Sequence, residues 1–254
     1  MSTEKTFRLD GRDIPFIEGD TVMDAALRAG EYIPHLCHNP EFPPHGSCRV
    51  CVVDVNGRHQ CSCTLPADEN MDVDNSSEAI TDVRRSLLQM LFVEGNHTCP
   101  GCEKSGACQL QAVAYNTRML NPHFTHFFPK RSIDASHPEI VFYYNRCILC
   151  GLCERVSRDI DKKSVFAITG RGINSKLEFN SLSGKLGDTE LSADDKAASV
   201  CPVGAILPKY KGFEVPIGER LYDTKPISVV GDVAANHSAE DSVLGNADEY
   251  SSDE

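Results

Sequence analysis

At residues 97–108 the chain reads His97-Thr98-Cys99-Pro100-Gly101-Cys102-Glu103-Lys104-Ser105-Gly106-Ala107-Cys108. This stretch places three thiols and one imidazole on a short segment, and its proline and glycines bend the backbone between them. Four soft or borderline donors so close together can converge on a single centre. The donor set suits Zn²⁺ or an iron–sulfur cluster, and this stretch alone leaves the choice open. Because the segment has only three cysteines and a closed site requires four donors, we expect His97 to be the fourth ligand.

The composition limits the class of protein. With 254 residues the chain is long enough for two or three small domains or one large one. No apolar run reaches the roughly 18 residues of a membrane span, and the N-terminus lacks a signal-peptide pattern. We therefore expect a cytoplasmic protein, in which the 12 cysteines are kept as thiols. The net charge of −12 disfavours binding to nucleic acid, because phosphates require a basic surface.

The first 75 residues predict a small α+β domain. A capping box at Thr21–Asp24 opens a helix that Gly30 closes. Alternating apolar residues and turn signals predict four strands, at Thr6–Leu9, Ile14–Glu18, Val50–Val55 and Met71–Val73. Strand, turn, strand, helix and then a cysteine-bearing loop is the order of a β-grasp ferredoxin.

Five cysteines follow this helix, at Cys37, Cys48, Cys51, Cys61 and Cys63. Three prolines and a glycine between the first and third make an irregular loop, whose free N–H groups can point at sulfur. With Cys63 as the last ligand the spacing is C-x10-C-x2-C-x11-C. Cys61 is an alternative to Cys63 as the fourth ligand, because a strand would place both side chains on the same face. A zinc knuckle is the alternative to a cluster at this loop. His35, His38 and His45 do not have the C-x-H spacing of a Rieske centre, so we expect them to face solvent.

Helices are predicted on both sides of residues 97–108. The first has an apolar face of Ile80, Val83, Leu87, Met90 and Leu91, with Arg84, Arg85 and Gln89 opposite. The second covers roughly Cys108–Asn116. Residues 117–138 then form a connector, which we expect Phe124, Phe127 and Phe128 to anchor and in which His123 and His126 are structural.

A strand at Ile140–Tyr144 precedes Cys147, Cys150 and Cys153, three quarters of the bacterial ferredoxin run C-x2-C-x2-C-x3-C-P. Ser157 occupies the fourth position, and the missing thiol appears at Cys201-Pro202. Counting back from Cys201 by the same spacing finds no cysteine, which indicates a two-cluster repeat that keeps one cluster. A helix and strands at Val165–Ile168 and Leu177–Phe179 fill the interval. Four structural zinc ligands are the alternative.

These motifs, in this order over about residues 5–225, resemble the iron–sulfur subunits of NADH dehydrogenases and hydrogenases. Ser47-Cys48-Arg49-Val50-Cys51 matches the first cluster loop, and Gln109-Leu110-Gln111 follows the second as in those families. Most relatives have H-x3-C where this chain has H-x-C. The shorter spacing, with Glu94-Gly95-Asn96-His97 before it, resembles the small iron–sulfur subunit of NAD-reducing [NiFe] hydrogenases.

The resemblance implies an α+β protein with three cluster domains. Residues 1–75 would be a β-grasp [2Fe–2S] domain, 76–135 a small helical His/Cys₃ [4Fe–4S] domain with its connector, and 136–212 a degenerate bacterial-ferredoxin-like [4Fe–4S] domain. Residues 213–254 would be a C-terminal extension with an acidic end, disordered from about 230. The implied ligands are Cys37, Cys48, Cys51 and Cys63 for the [2Fe–2S] cluster, His97, Cys99, Cys102 and Cys108 for one [4Fe–4S] cluster, and Cys147, Cys150, Cys153 and Cys201 for the other.

The implied function is electron transfer without a substrate site. The partners would be a flavin subunit that handles NAD(H), the diaphorase subunit, and the small and large subunits of a [NiFe] hydrogenase. No dinucleotide fingerprint, phosphate loop or nucleophilic triad is present in the sequence, which agrees with this role. Formate dehydrogenases and NADH dehydrogenases continue into a large C-terminal domain, so we expect the hydrogenase type. The iron–sulfur arm of one of those two complexes is the alternative, and a zinc-binding scaffold protein is the alternative of another class.

Overall fold

The computed structural model of this chain describes residues 5–231. The described part is an α+β protein with a five-stranded, a three-stranded and a two-stranded sheet. The helices α1 to α6 and strands β1 to β10 are numbered in chain order below. No helix in this range is long and apolar enough to cross a bilayer.

The five-stranded sheet forms the N-terminal part of the molecule. Its strands are β1 (Thr6–Leu9), β2 (Arg12–Pro15), β3 (Val52–Val55), β4 (Arg58–Cys61) and β5 (Asp72–Asp74). The order across the sheet is β2-β1-β5-β3-β4, and β1 runs parallel to β5 while the other neighbours are antiparallel. The sequence places four of these strands within about three residues of their observed limits, and β4 contains Cys61, for which a strand without stated limits is predicted.

Helix α1 (Val22–Arg28) packs its apolar residues on this sheet. The predicted capping box is confirmed, because Thr21 Oγ1 accepts from the Asp24 N–H and the Asp24 carboxylate accepts from the Thr21 N–H. Gly30 ends the helix with φ +77°, as expected at this position. Val22, Met23, Ala25 and Ala26 are fully buried.

Helix α2 (Glu78–Glu94) begins at the Ser77 cap and leads to His97, and α3 (Gln109–Asn116) begins at Cys108. Both predicted helices are confirmed, and α3 begins within one residue of its predicted limit, but the predicted faces of α2 are wrong in part. Arg84 is only 3% exposed and Gln89 is buried, whereas Met90 is 48% exposed. The reason is that α2 is covered on two sides: Arg84 donates to the Val52 carbonyl in β3, and Gln89 accepts from the His123 N–H in the connector.

The C-terminal half has two small sheets and three short helices. Strand β7 (Ile140–Tyr143) lies between β6 (Ile133–Asp134) and β10 (Ile206–Pro208), and β8 (Phe166–Thr169) pairs with β9 (Lys176–Phe179). The helices are α4 (Leu152–Asp159), α5 (Lys196–Ser199) and α6 (Ile227–Val230). The predicted strands are therefore confirmed, and so is the predicted helix, which begins at Leu152 and includes Cys153.

The connector does not have the predicted anchors. Phe124, Phe127 and Phe128 are all exposed, the last by 74%. The backbone holds this segment instead: the Phe127 N–H donates to the Val93 carbonyl, and Asn96 donates to the Pro129 carbonyl. The predicted disorder of the acidic end falls beyond residue 231, outside the described residues.

Candidate functional site: three cysteine loops

Three loops converge in the interior of the molecule. We call residues 37–51 loop 1, residues 97–108 loop 2 and residues 147–153 loop 3. One continuous core contains Cys37 of loop 1, Cys150 and Cys153 of loop 3, and Cys201, and Cys108 of loop 2 packs against it. These cysteines are therefore largely withdrawn from water, and solvent exposure is one of the factors that set the potential of an iron–sulfur cluster.

The four thiols assigned to loop 1 lie together in two pairs. Cys37, Cys51 and Cys63 are buried and Cys48 is partly buried. The Cys48 N–H donates to Cys37 Sγ over 3.4 Å, and the Sγ atoms of Cys51 and Cys63 are 3.3 Å apart. Such crowding is unfavourable for four free thiolates and favourable around a cationic centre that they share.

The crowding also changes how these thiols ionise. A hydrogen bond from the Cys48 thiol lowers the pKa of Cys37, and a backbone N–H and the charge of Arg155 act in the same direction. For Cys51, a hydrogen bond from Cys61 lowers the pKa, but the neighbouring Cys63 and burial outweigh it and raise the pKa to about 12. The pKa of one thiol in this group is thus lowered while that of another is raised. Such thiols share protons with one another until a bound metal displaces those protons.

Cys61 and Cys63 do not share a strand face, contrary to the prediction from their spacing. Strand β4 ends at Cys61, which pairs with Val52, and Cys63 follows in a turn. The turn brings Cys63 into the interior beside Cys51, while Cys61 stays partly exposed.

The prediction that three histidines of this region face solvent is wrong for two of them. His35 and His38 are buried, and their rings pack edge to face with the ring centres 5.4 Å apart. His45 is exposed.

In loop 2, His97, Cys99, Cys102 and Cys108 line a single cavity. The buried Nε2 atom of His97 has no hydrogen-bond partner among the described residues, which is unusual for a buried ring nitrogen. Phe92 packs against the ring, and a side chain at Gly95 would come within 2.7 Å of Nε2. A buried, oriented and unsatisfied nitrogen beside three thiols fits a metal ligand.

Burial keeps the His97 imidazole neutral, lowering its pKa to about 4. Burial also raises the pKa of Cys108 to about 12. Neutral imidazole is the form that binds metal, and a buried thiol ionises when it gains a cationic partner. Both side chains are thus better suited to a bound cluster than to free titration.

In loop 3, Cys147, Cys150 and Cys153 line a second cavity together with Cys201, which follows α5. Burial raises the pKa of Cys147 to about 12, and it raises the pKa values of Cys150 and Cys153 well above that of an ordinary thiol. Ser157, in the position of a fourth ferredoxin cysteine, is fully buried, and its hydroxyl accepts from the Val165 N–H over 2.8 Å. This serine therefore joins α4 to β8.

The three loops contact one another. Val203 lines the cavities of both loop 2 and loop 3, and the Gln109 N–H at the end of loop 2 donates to the Pro202 carbonyl over 2.9 Å. Arg155, from the helix that contains Cys153, donates to the Cys37 carbonyl of loop 1 over 2.8 Å. Neither Val203 nor Arg155 stands out in the sequence, since one reads as an ordinary core residue and the other as a solvated charge on a helix.

The C-terminal extension covers loop 2 from outside. The Tyr222 N–H donates to the Gly106 carbonyl over 2.8 Å, and Arg220 donates to the Ser105 carbonyl over 2.7 Å. Arg220 is fixed by an ion pair with Asp223. Gly106 has φ +80° and no room for a side chain beneath Arg220, so a glycine is required there.

The zinc interpretation has less support from this geometry. Within residues 5–231, no three His, Cys, Asp or Glu side chains are arranged around one point as a single metal ion requires. The donors of loops 2 and 3 surround cavities instead, which suits polynuclear clusters.

Three family models match the chain in succession. Residues 2–78 match a 2Fe-2S iron-sulfur cluster binding domain. Residues 84–123 match the NADH-ubiquinone oxidoreductase-G iron-sulfur binding region. Residues 137–207 match the ferredoxin-like domain of NADH-quinone oxidoreductase subunit 3.

Sequence identity and coverage distinguish the hydrogenase relative from the relatives in other complexes. The chain is 38% identical over 221 residues to the gamma subunit of the NAD-reducing hydrogenase HoxS of Cupriavidus necator, covering 86% of this chain and 93% of that protein. It is 30% identical over 203 residues to the NADPH-Fe(3+) oxidoreductase alpha subunit of Geobacter sulfurreducens. It is also 30% identical over 236 residues to the mitochondrial NADH-ubiquinone oxidoreductase 78 kDa subunit of Candida albicans. The last two alignments cover 79% and 90% of this chain but only 24% and 32% of those larger proteins.

A solved structure also matches the chain over almost its whole length and is again a hydrogenase. The crystal structure of an NAD+-reducing [NiFe]-hydrogenase in the H2-reduced state contains a chain with 56% identity and a TM-score of 0.87, over 89% of this chain and 97% of that one. The formate dehydrogenase, NADH dehydrogenase and zinc-scaffold alternatives fit less well than the hydrogenase. The chain thus belongs to the family of the gamma subunit of NAD-reducing hydrogenase, as a non-catalytic electron-transfer subunit with one [2Fe–2S] and two [4Fe–4S] clusters.

Proposed function

We propose that each loop binds one cluster through the four donors described for it. Cys37, Cys48, Cys51 and Cys63 would hold the [2Fe–2S] cluster, His97 with Cys99, Cys102 and Cys108 one [4Fe–4S] cluster, and Cys147, Cys150, Cys153 and Cys201 the other. The buried, unpartnered Nε2 atom of His97 beside three thiols is the observation that supports this assignment most. When bound, the clusters supply reversible one-electron chemistry.

The protein's own residues set the conditions for that chemistry. The core that joins the loops excludes water, and the neutral imidazole of His97 gives its site one negative charge fewer than an all-thiolate site. We propose that the loop 3 site lies between the other two. Val203 lines both the loop 3 cavity and the loop 2 cavity. Arg155, on the helix that contains Cys153, donates a hydrogen bond to loop 1.

We propose the domain limits 1–75, 76–135, 136–212 and 213–254. The order β2-β1-β5-β3-β4, with β1 parallel to β5 and α1 packed on the sheet, supports a β-grasp fold for the first domain. For the third, Ser157 at the fourth cysteine position and Cys201 ahead of Pro202 support a ferredoxin repeat that has lost one cluster.

The partners we propose are the NAD(H)-linked flavin subunit of the diaphorase module and the [NiFe] hydrogenase small and large subunits. Support comes from the relatives' complexes and from apolar side chains that face solvent on residues 210–217, among them Tyr210 and Ile217. We also propose a cytoplasmic location, because all 12 cysteines lie in the described residues and none of them is paired in a disulfide.

Anaerobic purification tests the cluster assignment. The protein should be brown and contain about ten iron atoms with matching acid-labile sulfide, from one two-iron and two four-iron clusters. A colourless protein with about three zinc ions would contradict it. Co-purification followed by assay with hydrogen, formate and NAD tests the partners, and we expect hydrogen to be the reductant that supports NAD reduction.

A further inference from the structure

Arg155 links two cluster loops through a buried guanidinium. It lies on α4, two residues after Cys153, and is only 8% exposed. Its Nη2 donates to the Cys37 carbonyl over 2.8 Å, and its Nη1 donates to the Pro43 carbonyl over 2.7 Å. Both acceptors belong to the loop 1 region, 118 and 112 residues away in sequence.

The charge of this arginine has no carboxylate beside it. Within residues 5–231 Arg155 makes no ion pair, and its hydrogen bonds go to carbonyl oxygens only. Asp159 is the acidic side chain of α4 that senses its charge, but Asp159 is exposed and binds Arg158. A buried cation without a counter-ion is unfavourable, so an anion nearby would stabilise this side chain.

The ligand group of loop 1 can supply this anion, since the Cys37 carbonyl accepts a hydrogen bond from Arg155. A two-iron cluster held by four thiolates is a polyanion that gains one further negative charge on reduction, with no bond made or broken. A fixed positive charge in a medium of low dielectric therefore stabilises the reduced form more than the oxidised form. The effect requires a position close to loop 1, and the hydrogen bond to the carbonyl of Cys37 provides it.

We propose that Arg155 is a positioning residue that holds loop 1 against α4 and, through its charge, raises the reduction potential of the [2Fe–2S] cluster. The proposal rests on the assignment of that cluster to Cys37, Cys48, Cys51 and Cys63. By this arrangement the helix that contains one ligand of the loop 3 site also sets the energy of the loop 1 site.

The test is a redox titration of the assembled complex, followed by the paramagnetic signal of the [2Fe–2S] cluster. Arg155→Met removes the charge and keeps a long side chain, Arg155→Gln keeps a neutral donor, and Arg155→Lys keeps the charge. Arg158→Met is the matched control, because Arg158 lies on the same helix but is half exposed and bonded to Asp159.

We expect Met and Gln to lower the equilibrium constant for reduction of this cluster at least tenfold, which is 59 mV for a one-electron couple. Lys and the Arg158→Met control should stay within threefold of the wild type, and the signal of the His97 site should not shift. A purely structural arginine would change the amount of cluster but not its potential.

Equal potentials in the Lys and Gln variants would overturn the proposal. Loss of the [2Fe–2S] signal from all three Arg155 variants would also overturn it, since a residue needed only for assembly sets no potential. A wild-type complex without a [2Fe–2S] signal would instead refute the cluster assignment itself. The two failures are therefore distinguishable.

Discussion

Gly204 lies directly against the sulfur of Cys102, so that a Cβ atom added at Gly204 would stand 2.8 Å from Cys102 Sγ. Gly204 follows the segment that contains Cys201, while Cys102 belongs to loop 2. The segment after Cys201 therefore touches loop 2 at a residue without a side chain. The contact explains why a glycine with an ordinary backbone conformation is needed there.

Gly204→Ala should disturb the loop 2 site. The added methyl group would push Cys102 away from its three partners, so we expect the iron content to fall by up to about four atoms per chain, with loss of that site's paramagnetic signal. Gly101→Ala is the control, because a Cβ there meets nothing within 4 Å. Equal iron content in both variants would contradict the role of the contact.

His97→Cys should lower the reduction potential of the loop 2 cluster. A thiolate in place of a neutral imidazole adds a negative charge to the ligand set, which stabilises the oxidised form. By comparison with sites where histidine replaces cysteine, we expect a shift on the order of 100 mV. A redox titration monitored by electron paramagnetic resonance measures it. An unchanged potential would show that His97 is not a ligand.

The lowered pKa of His97 predicts how the loop 2 site responds to acid. An ordinary histidine takes up a proton as the pH falls below 6.5, but His97 stays neutral to about pH 4. Because its folded pKa is lowered, this group's contribution to apoprotein stability is complete above pH 6.5 and is lost as the pH falls towards 4. We expect the loop 2 cluster to survive acidification to about pH 5 as well as the all-cysteine loop 3 cluster does. Loss of the loop 2 signal alone with a midpoint near 6.5 would refute this.

Serine substitutions distinguish Cys63 from Cys61. Cys63→Ser removes a buried thiol beside Cys51, so we expect loss or a marked spectral change of the [2Fe–2S] cluster. Cys61→Ser is the matched control two residues away, and it should keep at least about nine tenths of the two-iron signal. The reverse result would identify Cys61 as the fourth ligand of loop 1.

Ser157→Ala should reduce stability without changing the clusters. The substitution leaves the buried Val165 N–H without an acceptor, which costs about 1–3 kcal/mol. We expect a lower urea midpoint for unfolding and an unchanged iron content. Ser199→Ala, at an exposed serine that donates only to a carbonyl of its own helical turn, is the control and should leave the midpoint unchanged.

Much of the local structure follows from the sequence. Thr21 and Asp24 are neighbours on one helical turn, so their capping box can be read directly from residue types and spacing. The buried and exposed faces of α2 cannot be read in this way, because Arg84 is buried by a hydrogen bond to the carbonyl of Val52, which lies 32 residues earlier. Likewise, no local pattern shows that Phe128 is exposed while the backbone at Phe127 anchors the connector.

The sequence by itself determined the number and type of clusters, and it predicts their donor sets except for the choice between Cys61 and Cys63, because thiol and imidazole chemistry and short spacings are properties of contiguous segments. The family follows from the same motifs in the same order. Only the tertiary structure decided how the three sites adjoin, since Val203, Gly204 and Arg155 act on loops far away in sequence. Those contacts arise from packing a common core, and packing is a property of the whole chain rather than of any one motif.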